Sequence, residues 1–151
     1  MAGGLGMLCA GDIVVVTEDC KFALTETMLG IPPAQIAPFV SQRIGLAKAR
    51  RIMLTAARFT GKEAHEMGLA DFVAKDADDL KVIETDIKNG VLKCAPGANA
   101  VTKEIVLATR HLTRKEMIEF AAKGFAERML SDEGKEGISS FIEKRKPKWS
   151  K

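Results

Sequence analysis

Asp12-Ile13-Val14-Val15-Val16-Thr17 is the stretch on which the reading of the fold turns. A continuous, mostly β-branched run of this length reads as a strand buried on both faces, as in an α/β sheet. Glu18-Asp19 turns the chain, and Lys21-Phe22-Ala23-Leu24 reads as a second short strand. Thr25 to Gly30 leaves that strand, and Ile31-Pro32-Pro33 interrupts any regular element before a helix restarts. Proline is tolerated in a first helical turn, so Pro33 to Val40 can be helical despite Pro38.

Further along, Ser41 to Ala57 has helical spacing, with Ile44, Ala47, Arg51, Leu54 and Thr55 on one side and Ile52 extending the apolar surface. Thr60-x-x-Glu63 is a capping box that opens a helix through Met67, which Gly68 stops. Leu69 to Ala74 reads as a strand, and Asp76 to Lys88 as a helix ended by Asn89-Gly90. From Pro96 the pattern is helical only. Val101, Ile105, Ala108 and Leu112 share a face, and a second capping box, Thr113-x-x-Glu116, opens a helix carrying Ile118, Ala122, Phe125 and Met129 on one side. Ser131-Asp132-Glu133 breaks that helix, and Ile138, Phe141 and Ile142 mark a last short one. The order predicts an α/β region over residues 1–90 and an all-helical region over residues 91–151, with no internal repeat.

The chain has 151 residues, 46% of them hydrophobic and 28% charged, which is ordinary globular usage. That excludes a disordered or collagen-like chain, and no apolar run approaches the ~18 residues of a membrane span. Cys9, Cys20 and Cys94 are an odd set without close spacing. They suggest core hydrophobes in a reducing, cytoplasmic setting rather than a disulfide framework or a metal site. The seven methionines read mostly as core residues. The net charge of +3 conceals an asymmetry: Lys144, Arg145, Lys146, Lys148 and Lys151 crowd the last positions, and without them 18 basic residues face 20 acidic ones. A near-neutral body argues against a nucleic-acid binder. The tail reads either as a solvated helix end or as a contact for an anionic ligand such as a nucleotide phosphate.

Two places invite chemistry. Ala2-Gly3-Gly4-Leu5-Gly6 lacks the basic leader and unbroken apolar core of a signal peptide. A Gly-Gly turn running into a short helix at Met7 and Leu8 would point free backbone N–H groups at a developing negative charge. Glu26 follows a strand end and faces Leu24, Leu29 and Ile31. A carboxyl group there is placed to be partly desolvated, the setting in which such groups are used for proton transfer. On the residues alone the reading as an exposed turn glutamate is the stronger one. His65 reads as solvated and His111 as a helix-end cation, and neither has a nucleophile partner.

The combined pattern resembles the enoyl-CoA hydratase/isomerase (crotonase) superfamily. It is carried by Ala2 to Gly6, Gly11-Asp12-Ile13, Phe22 to Glu26, Leu29-Gly30-Ile31-Pro32-Pro33-Ala34, Arg43-Ile44-Gly45, Leu54 to Phe59, Ala64-x-x-Met67-Gly68-Leu69-Ala70, Gly134 to Ile138 and Phe141 to Pro147. The resemblance implies an α/β fold: part of a spiral of ββα units followed by a C-terminal all-helical oligomerisation region. It implies an acyl-CoA enzyme in which backbone N–H groups hold the thioester oxygen as it becomes an enolate and acidic side chains move protons. Glu26 matches a catalytic glutamate and Gly3 an oxyanion donor. Gly4, Pro33 and Ala34 fall at substrate-binding positions, and Lys144, Lys146 and Lys148 are candidates for CoA phosphates. No cofactor or metal is expected beyond the coenzyme A of the substrate, and neither nucleic acid nor membrane is an expected partner. A homotrimer or dimer of trimers is.

Two departures stand out. The position of a second family glutamate is Gly6 here, so the two-carboxylate mechanism is not available. The family's N-terminal part, which carries the other oxyanion donor, has no counterpart before the motif, so the chain is expected to match the C-terminal portion only. It would then be the C-terminal half of a hydratase, with a separate N-terminal half as a candidate partner. The context of Glu26 looks most like hydratases of branched enoyl-CoA esters. The alternatives are a Δ3-Δ2 enoyl-CoA isomerase and an inactive truncated paralogue serving assembly or acyl-CoA binding.

Overall fold

A computed structural model describes residues 2–150. The chain divides into two compact units, Met1–Asp86 and Ile87–Lys151, and the division falls inside a helix.

The first unit holds all four strands. Helix α1 (Ala2–Cys9) is followed by β1 (Val15–Thr17) and β2 (Lys21–Ala23), then a 3-10 turn (Glu26–Leu29) and α2 (Ala37–Leu54). Strand β3 (Arg58–Thr60), α3 (Gly61–Met67) and β4 (Phe72–Ala74) complete it, and α4 (Ala77–Leu92) leads out of it. β1 pairs with β4 in parallel, Val16 opposite Val73, and β2 pairs with β3 antiparallel, Phe22 opposite Phe59. The Phe22 and Phe59 rings stack at 5.4 Å.

The run at 12–17 is a shorter strand than its composition predicts, and it is not buried on both faces. Val14 and Val16 are buried, Val15 is half-buried, and Ile13 is 46% exposed. Successive side chains of a strand point to opposite faces, and it is the face carrying Val14 and Val16 that packs in the core, while the face carrying Ile13 and Val15 stays partly open. Pro33 to Ile36 forms turns rather than helix, and α2 starts at Ala37 with Pro38 in its first turn. The expected face of α2 holds in part: Ile44 and Ile52 are buried, while Ala47, Arg51, Leu54 and Thr55 are exposed. Gly45 sits at φ 78°, ψ 161° and breaks the helix into two pieces. Beyond the break Ala49, Ile52 and Met53 turn inward at helical spacing, while Leu54 is 75% exposed. Strand β3 was hidden in what reads as the end of a helix and the start of a capping box.

The capping box at α3 forms as expected: the Glu63 N–H donates to Thr60 Oγ1, and the Thr60 N–H donates to Glu63 Oε2 at 2.7 Å. Gly68, at φ 82°, ends the helix in the left-handed conformation. The core contains Leu5, Leu24, Val40 and Leu69, none more than 1% exposed. Arg43 ties the segments around it. Its guanidinium donates to the carbonyls of Leu69 and Gly11 and pairs with Asp71, which also accepts from the Val14 N–H at 2.7 Å. Cys9 is buried, with its thiol pushed up by burial against the lowering effect of Arg43. Cys20 is half-buried and Cys94 exposed, so only Cys9 behaves as a core hydrophobe. Met53 is buried, but Met7 and Met28 are 80% and 70% exposed.

The second unit is helical: the end of α4, then α5 (Pro96–Ala108), α6 (Arg114–Leu130) and α7 (Asp132–Ile142). α4 passes straight through Asn89-Gly90, where the sequence suggests a stop; glycine is tolerated in a helix at a cost of ~1 kcal/mol. Thr113 and Glu116 cap α6. Ser131 does not merely break the chain. Its hydroxyl accepts from the Gly134 N–H at 3.1 Å and caps α7, which is therefore longer than expected. The expected packing face of α6 is outside: Ile118 and Phe125 are 64% and 66% exposed. The neighbouring face, through Gly124, meets α5, where a Cβ on Gly124 would lie 2.9 Å from Val101 Cγ1.

Candidate active site

The glycines at the start of the chain are already helical. α1 begins at Ala2, so Gly3 and Gly4 belong to its first turn rather than to a turn before a helix at Met7. Their N–H groups have no carbonyl partner inside the helix. Both residues are exposed, and a Cβ at either would meet nothing within 4 Å. That leaves bare backbone N–H at the end of the helix where negative charge is favoured.

Glu26 is positioned by the segment on either side of it. The buried Leu24 donates its N–H to the Ala57 carbonyl at 3.1 Å, which anchors the exit from β2. Glu26 then opens the 3-10 turn, and Gly30, at φ 74°, closes it by donating to the carbonyls of Glu26 and Thr27. The side chain of Thr27 donates to the Met53 carbonyl at 3.2 Å. The Glu26 carboxyl group is left with Oε2 buried and without a hydrogen-bond partner. A buried polar atom without a partner is uncommon, because the group has lost water and gained nothing in return.

Pro33 and Ala34 lie in the turns that lead from this glutamate to α2. The Pro33 carbonyl accepts from the N–H groups of Ile36 and Ala37 at 3.2 and 2.9 Å. This places Ile36 on α1: a Cβ built on Gly6 would lie 2.5 Å from Ile36 Cγ2. Helix α1 also touches β2. Helix α1 therefore packs through Gly6 on the end of the segment that follows the Glu26 turn, and it touches the strand that precedes that turn.

The three lysines belong to the second unit, and Lys151 lies outside the described residues. Lys144, at φ 53°, turns the chain after α7. Arg145 folds back on Glu136 with two hydrogen bonds of 2.6 and 3.0 Å and also bonds Glu143. The Lys148 N–H donates to Glu136 at 3.0 Å, and Trp149 Nε1 donates to the Lys93 carbonyl at 3.2 Å. Glu136 is held down at about 2, first by Arg145 and then by Lys148. So part of the basic tail is spent on fastening itself to α7, while the side chains of Lys144, Lys146 and Lys148 stay exposed. Among the described residues no cluster of His, Cys, Asp and Glu is arranged to hold a metal ion. No helix is long and apolar enough to cross a membrane. His65 is exposed, with Nδ1 at 3.1 Å from the Ala70 carbonyl. Sequence reasoning missed Ile36 and Asp71, whose partners are distant along the chain.

The sequence profile described as enoyl-CoA hydratase/isomerase matches residues 1–151. The chain belongs to the enoyl-CoA hydratase/isomerase family. Its mixed α/β fold, mostly helical, is of the crotonase type, as two solved structures illustrate. Pseudomonas aeruginosa AtuE is 46% identical with a TM-score of 0.97, the match covering 99% of this chain and 58% of AtuE. An enoyl-CoA hydratase/isomerase from Marinobacter aquaeolei is 38% identical with a TM-score of 0.96, covering 100% of this chain and 57% of the other. Among curated relatives, the peroxisomal Delta(3,5)-Delta(2,4)-dienoyl-CoA isomerase of Arabidopsis thaliana is 30% identical over 155 residues, covering 100% of this chain and 55% of that protein. The chain therefore spans a little more than half the length of these family members.

Proposed function

We propose that this chain supplies the Glu26 half of an enoyl-CoA hydratase site and corresponds to the C-terminal part of the family's catalytic unit. The observation that carries the reading is the buried, unpartnered Oε2 of Glu26, on the turn that follows β2, a strand that α1 touches. In the proposed reaction the thioester oxygen of a 2-enoyl-CoA accepts from the Gly3 N–H. Water gives a proton to the Glu26 carboxylate and its oxygen to Cβ. The electrons of the double bond move onto the thioester oxygen, and Glu26 returns the proton to Cα. A fixed donor at the enolate oxygen is worth ~3–4 kcal/mol of barrier, and a placed general base ~10²–10⁴-fold in rate. Gly4, Pro33 and Ala34 would line the acyl thioester, and exposed Lys144, Lys146 and Lys148 would meet the CoA phosphates. Coenzyme A as part of the substrate is the sole cofactor in this scheme, with a branched acyl group as the preferred substrate. The free cysteines suit a reducing, cytoplasmic setting. The exposed Ile118, Phe125, Leu130 and Phe141 of the second unit support assembly into a homotrimer or dimer of trimers.

One observation favours a second reading. Gly6 carries no carboxylate, and the space beside it is filled by Ile36. A single carboxyl group suffices to carry a proton between two carbons, as a Δ3-Δ2 enoyl-CoA isomerase requires. Product analysis separates the two. The chain, alone and joined to the family's N-terminal part, is incubated with 2-enoyl-CoA and 3-enoyl-CoA esters. A 3-hydroxyacyl product is expected; a shifted double bond without hydroxyl would replace hydratase by isomerase. Undiminished turnover in Glu26→Gln would remove both.

A further inference from the structure

Gly3 and Gly6 are three residues apart on α1 and so lie on one face of the helix. Gly6 is buried, and what covers it is Ile36. A Cβ at Gly6 would stand 2.5 Å from Ile36 Cγ2, 3.1 Å from its Cβ and 3.7 Å from its Cα. Carbon atoms not bonded to each other prefer ~3.5–4.0 Å. The two segments are thus as close as a bare glycine allows.

Ile36 cannot easily yield. It is 8% exposed and its side chain is branched at Cβ, which restricts its rotation. Its N–H donates to the Pro33 carbonyl at 3.2 Å and its carbonyl accepts from the Val40 N–H at 3.1 Å, so its backbone is held on both sides. It also ends the short segment that starts at Gly30, where the Glu26 turn closes. On the other side, α1 is held by the buried Leu5 and Cys9 and by the Arg43 bond to the Gly11 carbonyl at 2.9 Å.

We propose that the Gly6–Ile36 contact is the spacer that sets the separation between the first turn of α1 and the Glu26 turn, making both of them positioning residues. The proposal rests on the reading of Gly3 N–H and Glu26 as the reacting groups. Its physical content is that a methyl group at Gly6 forces the segments apart by roughly 1 Å, a displacement that can cost ~10²-fold in rate when it separates reacting groups.

The test is steady-state hydration of a 2-enoyl-CoA by the chain, alone and joined to the family's N-terminal part, carrying Gly6→Ala, Gly6→Ala/Ile36→Ala, Gly6→Ala/Ile36→Val and Glu26→Gln, with thermal unfolding recorded for each. Gly6→Ala is expected to lower kcat by ~10²-fold with KM within a few-fold. Ile36→Ala in the same chain removes the obstructing methyl and is expected to restore kcat at least ~10-fold of that loss. Ile36→Val retains both branches on Cβ and is expected to restore nothing. Should Gly6→Ala alone fail to fold, the Ile36→Ala double variant still decides, since it is expected to fold and turn over within ~10-fold of wild type. Wild-type kcat in Gly6→Ala overturns the proposal, and so does a folded double variant with Ile36→Ala that turns over no faster than its Ile36→Val counterpart. If Glu26→Gln is inactive in that case, the spacer alone is lost. If Glu26→Gln is fully active, the site reading itself is wrong.

Discussion

The two units solve the same problem with different means. The first holds nearly all the buried side chains, among them Leu5, Leu24, Val40 and Leu69, and it fastens its loops with Arg43 and Asp71. The second buries Ala108 and Ser140 and leaves Ile118, Phe125, Leu130, Phe141 and Ile142 exposed. It also has an open apolar groove of about 410 Å³ lined by Val101, Ile105, Phe125, Met129, Ile138 and Trp149. Its helices are held by caps and by ion pairs: Thr113 with Glu116, Ser131 on Gly134, and Arg145 on Glu136. A unit held by burial can position reacting groups; a unit with bare apolar faces offers the surface that the proposed assembly would use. The proposed reacting groups Gly3 and Glu26 both lie in the first.

The strongest way to break the comparison is to overfill the first unit. A Cβ at Gly61 would lie 1.9 Å from the Thr17 carbonyl oxygen, and backbone cannot rotate away. Gly61→Ala is expected to cost more than about 3 kcal/mol, read from chemical denaturation. A loss below 1 kcal/mol would mean that the first unit is not tightly packed. Next comes Arg43→Ala, which strands two carbonyls and Asp71 and is expected to cost about 2 kcal/mol, with the Val14 amide exchanging faster. Equal protection in wild type and variant would show that Arg43 fastens nothing.

A smaller effect sharpens the contrast. Thr60→Ala and Thr113→Ala remove the same cap, each for ~1 kcal/mol. Helix α3 also buries Gly61 and Ala64, whereas α6 buries nothing. Amide exchange should therefore fray α6 and leave α3 protected; equal fraying would erase the difference between the units. The smallest effect concerns acid. Glu136 titrates at about 2 instead of the ordinary 4.5, mainly through the Arg145 hydrogen bonds. Its contribution is present above 4.5 and is lost as the pH falls through about 2. The thermal midpoint of wild type should fall more steeply than that of Glu136→Gln between these values. Parallel curves would show that the tail is not fastened there.

What the sequence made legible were features written within a few residues: the two capping boxes, the Gly68 stop, and Glu26 after a strand end. What it hid depended on partners far along the chain. Asp71 falls inside the segment read as a strand and draws no notice until Arg43 reaches it from 28 residues away. Gly6 reads as one of several glycines until Ile36 covers it. The face of α2 was partly misread because one glycine, Gly45, re-phases the helix and the periodicity of a single window cannot register that. The face of α6 was misread for a different reason. Its apolar stripe is real, but it is exposed in this chain, and the packing goes through Gly124, which carries no hydrophobic signal.

The central claim is that the unpartnered carboxyl group of Glu26 moves the protons. The direct measurement is single-turnover conversion of a 2-enoyl-CoA by wild type and Glu26→Gln, each as the chain alone and joined to the family's N-terminal part, with the variant's fold checked by its unfolding midpoint. The account predicts a folded variant slowed by ~10²–10⁴-fold. A folded Glu26→Gln that converts substrate at the wild-type rate would contradict it.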